Sequence, residues 1–425
     1  MKFISTRQLI SPVNFSESLL MGLAPDGGLL IPDQLPIFSN KELATLTNTS
    51  FSNVAKIIAK KFAEKDVLEE RMDAICNEAF NFIIPLKKMK DKTSLLELYH
   101  GPTCAFKDIG ARFLASSISQ LQIKKNQKLT VIVATSGDTG SAVASAFYQK
   151  PFVDVIILYP QGKVSPRQEI QLTCWGGNIS SFAVKGVFDD CQRMVKEAFL
   201  DPWWKTHKNL ISANSISIGR ILPQTFYYAW ASLKYFHETN SKAGFIIPSG
   251  NLGNATACLW AKKMGFPVRE IIMTTNLNHS LSDYVSSGNF KPHTTLSTLA
   301  NAMDVGNPSN IERLLSLYKN VEEFKKEVEV LSVTDDQIKE TIKNGVKNWG
   351  EVFCPHTATA VYARQQLESP HWIIVATAHP AKFETIVEPL IGSEIEIPKV
   401  LEEILQKPTY KKTISASLEN LKKEN

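Results

Sequence analysis

The chain has 425 residues, 44% hydrophobic and 21% charged, which suits two or three globular domains with sizeable cores. Its 47 basic and 42 acidic residues leave a net charge of +5 with no long basic run, which argues against a nucleic-acid partner. No apolar run is long enough to span a membrane, and Ser5, Thr6, Arg7 and Gln8 interrupt the opening segment before a signal-peptide core could form. The six cysteines are scattered without a CxxC pair, so a cytoplasmic protein with reduced thiols and no metal site is expected.

In chain order, residues 1 to 90 read as a small separate N-terminal unit. Turn chemistry appears in LAPDGGLLIP, and Val54, Ile57, Ile58 and Phe62 then recur at helical spacing, followed by a helix with Leu68, Met72 and Ile75 on one face. The charged stretch PLKKMKDKTS, residues 85 to 94, is the expected boundary. Beyond it, short apolar runs alternate with helical patterns: LLELY (95 to 99), LTVIVAT (129 to 135), DVIILYP (154 to 160), GFIIPSG (244 to 250), EIIMTTN (270 to 276) and WIIVATA (372 to 378). That alternation predicts an α/β region over 91 to 400 with mainly parallel sheets covered on both faces. The charged segment near 310 to 350 reads as a helical insertion with a solvated face, and 401 to 425 as a C-terminal tail.

Within HGPTCAFKDIGARF, Lys107 follows Cys104, Ala105 and Phe106, which carry the chain inward. Most lysines are solvated. A desolvated one loses basicity and becomes available as a nucleophile or Schiff-base partner. Two strands also end in glycine-rich turns that open helices. One supplies Ser136, Gly137, Asp138, Thr139 and Gly140; the other supplies Ser249, Gly250, Asn251, Leu252, Gly253 and Asn254. Such turns aim backbone N–H groups at an anion. Two of them at strand C-terminal ends point to a ligand with more than one anionic group. Neither is GxGxxG or a Walker sequence, which leaves a phosphate cofactor that also needs a lysine. Pyridoxal 5'-phosphate meets that description.

Taken in order, HGPTCAFKD, TSGDTG, PSGNLGN, NSISIGR, PHTATA and ATAHPAKF resemble the threonine synthase family, in its longer form with an N-terminal unit. The likeness runs from MKFISTR and APDGGLLIP to about residue 390. It implies a fold type II pyridoxal-phosphate enzyme, tryptophan synthase β-like, with two interleaved α/β domains beside the small N-terminal one. It also implies a lyase that converts O-phospho-L-homoserine and water to L-threonine and phosphate, the last step of threonine biosynthesis, as a monomer or homodimer.

Carried over by position, Lys107 is the implied Schiff-base lysine, with Phe106 and Asp108 as its fixed neighbours. Gly250, Asn251, Leu252, Gly253 and Asn254 are the implied phosphate cradle. Asp138 falls near the ring hydroxyl and Thr377 opposite the ring nitrogen. Ser136 and Thr139 are assigned to the substrate carboxylate, and Asn214, Ser215 and Arg220 to the substrate phosphate. Two positions depart from the family pattern, Cys104 for an apolar residue and Cys354 where an acid is common. Plainer readings compete. Arg220 could pair with a helix end, Thr377 could satisfy a strand end, and His356 and His379, each beside a proline, read as packing groups outside the catalytic set. The alternatives for the whole chain are a serine/threonine dehydratase, another β-replacement enzyme, or a non-catalytic homologue that binds a phospho-ligand. A dehydratase needs no second phosphate site, so NSISIGR weighs against it.

Overall fold

A computed structural model describes residues 1–125 and 128–424. The N-terminal unit is a small antiparallel sheet in which β1 (Lys2–Ser5) lies between β2 (Val13–Asn14) and β3 (Leu30–Pro32), followed by helices. The helix Phe51–Phe62 is capped by Ser50, whose hydroxyl accepts from the Asn53 N–H, and it buries Val54, Ala55, Ile58 and Phe62. Ile57, expected on the same face, is 41% exposed. The unit does not keep a core to itself. Phe80 stacks at 6.1 Å on Phe113 of the helix Lys107–Lys125, and the Arg112 Nε donates to the Ala79 carbonyl at 2.8 Å.

Two further sheets carry the α/β region. In the first, β4 (Leu86–Lys88) pairs antiparallel with β5 (Thr93–Glu97). Next in space come β13 (Trp372–Ala376), β10 (Ala243–Pro248), β11 (Val268–Thr275) and β12 (Val328–Ser332), all parallel. The second is parallel throughout, in the order β14 (Lys412–Ser415), β8 (Ile179–Lys185), β7 (Val153–Pro160), β6 (Leu129–Ala134), β9 (Leu210–Ser212). Every residue of β5, β6, β10 and β13 is buried, as expected of strands covered on both faces.

Several segments fall differently from expectation, among them β4, which lies inside the charged stretch read as a boundary, and β9, which is not among the expected strands. Strand β12 lies inside the stretch read as a helical insertion, because Val328 and its neighbours find an open edge on β11. Strand β8 is concealed in the sequence by Ser180 and Ser181. Of the expected tail 401 to 425, the described residues 401 to 424 are not free. They add β14 to the edge of β8 and bury Ile414 and Leu421, a pairing that four residues of local pattern cannot announce.

The neighbouring strands β10, β13 and β5 all end at one place, and β6 with β9 of the other sheet ends facing it. The chain is closely packed there. The helix Lys107–Lys125 crosses the short helix Ile218–Ile221 so tightly that a Cβ on Gly110 would lie 2.4 Å from the Arg220 carbonyl oxygen. Only glycine at 110 lets the two helices bring Lys107 and Arg220 to one cavity.

Candidate functional site

Lys107 opens its helix immediately after a turn held from within. The Asp108 carboxylate accepts from the Thr103 N–H at 2.8 Å and from its hydroxyl at 2.7 Å. Cys104 takes a left-handed φ of 54°. The Phe106 N–H then donates to the Thr377 carbonyl at 2.8 Å, so the lysine is anchored to the end of β13. Burial pushes the Lys107 ammonium down to about 8, with Arg220 and Lys382 adding to the shift and Asp138 opposing it.

The cavity above these strand ends is lined by Phe106, Lys107, Asp138, Ser215, Arg220, the run Gly250 to Asn254 and Thr377. Ser136 and Thr139 sit on the Asp138 turn, and Asn214 adjoins Ser215, but none of the three reaches the cavity wall. The loop after β10 leads into the helix Gly253–Lys263, whose first-turn N–H groups have no intrahelical acceptor. Leu252 holds φ of 61°, a strained value for a branched residue of the kind found where loops clamp ligands.

Two side chains of this loop are engaged elsewhere. The Asn254 Oδ1 accepts from the hydroxyls of Tyr227 and Tyr228, the latter at 2.7 Å. Asn251 donates to the Ser215 hydroxyl and accepts from the Ser309 N–H, tying the loop to its neighbours. What this loop offers a ligand is therefore its backbone N–H groups together with the Asn254 Nδ2, a buried donor left without a partner.

Arg220 is buried, and its Nη1 donates to the Ala213 carbonyl at 2.5 Å while Nε has no hydrogen-bond partner. Burial draws its guanidinium down to about 10, against the pull of Asp108. Asp138 behaves differently. Burial would raise its carboxyl, but Lys382 and Lys107 outweigh that and hold it below the usual carboxylate range. It meets the Lys382 Nζ at 2.7 Å and accepts from the Gln168 amide at 3.1 Å.

The family described as pyridoxal-phosphate dependent enzyme matches residues 87–377, the threonine synthase N terminus matches 2–80 and the threonine synthase C-terminal family matches 357–424. A threonine synthase of Serratia marcescens is 39% identical over 425 residues, covering 100% of this chain and 98% of that protein. The crystal structure of threonine synthase from Escherichia coli superposes with a TM-score of 0.92 at 37% identity, covering 100% of this chain and 99% of that one. A pyridoxal-phosphate-bound threonine synthase structure from Brucella melitensis gives 0.93 at 31% identity, covering 100% and 98%. The chain belongs to the threonine synthase family. The expected fold type II architecture and pyridoxal phosphate as cofactor hold with it.

The cavity suits that cofactor on its own evidence. The Thr377 Oγ1 is buried at the cavity wall without a hydrogen-bond partner, a hydroxyl free to meet a ring nitrogen. Its backbone N–H donates to the Thr357 hydroxyl at 3.2 Å, and Thr357 is itself fixed by the Cys354 thiol, which accepts its N–H at 3.4 Å and so caps the helix Pro355–Gln365. Cys354 thus supplies the helix cap at this position.

Two residues of this site lie outside the set expected from sequence. Lys382 is fully buried in ATAHPAKF and also donates to the Thr103 carbonyl at 2.7 Å; a lysine amid small apolar residues was the available signal. His356 lines the cavity, accepts the Ala302 N–H at its Nε2 over 3.0 Å, and leaves Nδ1 unpartnered. His379 stays outside, its Nδ1 accepting from the Ala381 N–H, as a packing group should.

Burial pushes His356 down to about 4, with Lys107 and Lys382 assisting against Asp138. Between pH 6.5 and that value the unfolded chain accepts a proton that the folded protein refuses. Stability contributed by this group therefore falls by roughly 3 kcal/mol as pH drops through the window, and falls no further below it. Urea unfolding of the wild type and of His356→Gln at pH 7.5 and 4.5 is expected to show that extra slope in the wild type alone. Equal slopes would mean that His356 charges freely in the folded state.

Proposed function

We propose that the protein converts O-phospho-L-homoserine and water to L-threonine and phosphate. The observation that carries this reading is Arg220, a buried guanidinium held by a carbonyl and lacking a partner at Nε, in the same cavity as the helix-opening loop 250 to 254. The loop answers one phosphate, the cofactor's, and Arg220 with Ser215 answers a second, the substrate's.

The backbone of Gly250 to Asn254 would hold the cofactor phosphate, Thr377 the ring nitrogen, and Asp138 the region of the ring hydroxyl. When bound, pyridoxal phosphate supplies an electron sink for charge left at the substrate's α and β carbons. Lys107 does the proton work. Its amine, pushed down to about 8, removes the Cα and then a Cβ proton, and it returns one proton to Cγ and one to Cα. Between these transfers the C–O bond to phosphate breaks with its electron pair on oxygen. Water then adds its oxygen at Cβ, keeps one proton as the new hydroxyl and gives up the other, which balances the proton taken up by the leaving phosphate oxygen. Arg220 holds the departing phosphate with Ser215; the assignments of Ser136 and Thr139 to the substrate carboxylate and of Asn214 to the substrate phosphate rest on the family resemblance alone, since none of the three lines the cavity.

The same reading divides the chain into an N-terminal unit of residues 1 to 90, a catalytic region to 400 and a C-terminal segment. It places a small-molecule enzyme in the cytoplasm, as a monomer or homodimer without nucleic acid. The small net charge supports the reading without nucleic acid, and no described helix is long and apolar enough to cross a membrane.

Incubation with phosphohomoserine tests the reaction directly. Threonine and phosphate in equal amounts are expected; ammonia with a 2-oxo acid would indicate a dehydratase, and binding without turnover a non-catalytic homologue. Thr377→Val removes the unpartnered hydroxyl at nearly constant volume. It is expected to keep the fold and the cofactor but slow turnover about 2- to 12-fold, the worth of one hydrogen bond. Unchanged turnover would return Thr377 to a structural role.

A further inference from the structure

Away from the cavity, the helix Ser280–Ser287 begins at His279 and carries Asp283 one turn later, so the two side chains share a face. His293, on the loop that follows, closes the group. The His279 Nδ1 lies 3.0 Å and the His293 Nε2 2.8 Å from the same Asp283 carboxylate oxygen, and the three donor atoms lie within 4.8 Å of one another. This spacing matches no zinc motif and does not show in the sequence.

The loop holds His293 in position. Its N–H donates to the Gly306 carbonyl at 3.0 Å, the Gly306 N–H donates to the Thr295 hydroxyl at 3.2 Å, and a Cβ at 306 would strike the His293 carbonyl at 2.1 Å. The chain between them is tied in as well, since the Leu296 carbonyl accepts from the Asn278 amide at 2.9 Å and Asp304 accepts from Thr298.

We propose that His279, Asp283 and His293 form a surface binding site for a borderline divalent metal ion, Zn²⁺ by preference, that clips the loop 289–300 to the helix before it. Two imidazole nitrogens and one carboxylate suit zinc and its neighbours, whereas magnesium and calcium prefer all-oxygen shells. In a tetrahedral zinc site, ligand atoms about 2.1 Å from the ion lie roughly 3.4 Å apart, so the two His–Asp separations of 3.0 and 2.8 Å need to open by about half an ångström while the imidazole nitrogens settle at the same spacing, with water in the fourth position. The clip has a reach beyond the surface. Ala302 and Met303, on the far side of the same loop, form part of the cavity wall, so the ion would brace a segment that shapes the site.

Calorimetric titration of the full, pyridoxal-phosphate-loaded protein with zinc chloride, in buffer without phosphate, tests the site. One equivalent is expected to bind, Mg²⁺ should not replace it, and His279→Ala and His293→Ala should each weaken binding by at least about tenfold, since even an outer-shell partner is worth that much. All three side chains are partly exposed, so both variants should melt with the wild type when metal-free. Amide exchange in 289–300 should slow on adding zinc to the wild type but not to His293→Ala. Absence of stoichiometric binding, binding unaffected by both substitutions, or displacement by Mg²⁺ would overturn the site. Binding that leaves exchange in the loop unchanged would overturn the clip.

Discussion

Replacing Lys107 by alanine is expected to lower turnover of phosphohomoserine by roughly a thousandfold or more, because one amine performs every proton transfer in the proposed reaction. The same substitution should abolish covalent retention of the cofactor after borohydride treatment. Reversible binding should survive, since the loop 250 to 254 remains. The competing outcome is specific. Lys382 is a fully buried lysine beside the same cavity, and its amine is committed to the Asp138 carboxylate and the Thr103 carbonyl. Lys107 has no such commitment, and burial leaves its neutral form accessible near neutral pH. A reduced adduct that maps to Lys382 would overturn the assignment, as would full retention in Lys107→Ala.

The second large effect is expected at Arg220. Truncating a guanidinium that meets a dianion in a desolvated site costs about 2–5 kcal/mol, so Arg220→Ala should lose roughly 30- to 5000-fold in kcat/KM for phosphohomoserine. Side activity toward serine or threonine, which carry no phosphate, should fall much less. Arg220 also anchors its own loop through the Ala213 carbonyl, and its own carbonyl accepts from the Gln224 amide at 2.8 Å. Arg220→Lys therefore serves as the control, keeping a cation while losing the fork that matches phosphate oxygens. Equal losses on both substrate classes in Arg220→Ala would make the arginine a structural element and leave the second phosphate site without its main support.

Much of this site is legible in the amino-acid sequence, and for a local reason. A helix-opening glycine turn, a lysine after inward-going residues and a threonine at a strand end are each set within a few neighbours. Lys107, Asp138, Gly250 to Asn254, Arg220 and Thr377 do meet in one cavity. The limits of such local rules show at particular residues. The turn around Asp138 has the pattern of one ligand cradle, yet Ser136 and Thr139 do not reach the wall. Asn251 and Asn254 have the pattern of ligand groups, yet the Asn251 side chain is tied to Ser215 and Ser309 and the Asn254 oxygen to two tyrosines, so that only the Asn254 Nδ2 stays free beside the backbone.

The sequence by itself determined the kind of chemistry, the strands that carry it and the order in which its parts occur, because short-range steric and hydrogen-bonding rules act within a turn or two of chain. The tertiary structure alone decided which of the two lysines is held by a carboxylate and a carbonyl. Lys382 and Thr103 lie 279 positions apart, and only folding sets one against the other and Asp138 against both lysines. The same holds for the neutral His356 at the cavity wall, for the last strand that turned an expected tail into a sheet edge, and for the His279, Asp283 and His293 cluster. Desolvation and ion pairing depend on what surrounds a group in space, and that neighbourhood is assembled from segments whose separation along the chain conceals it.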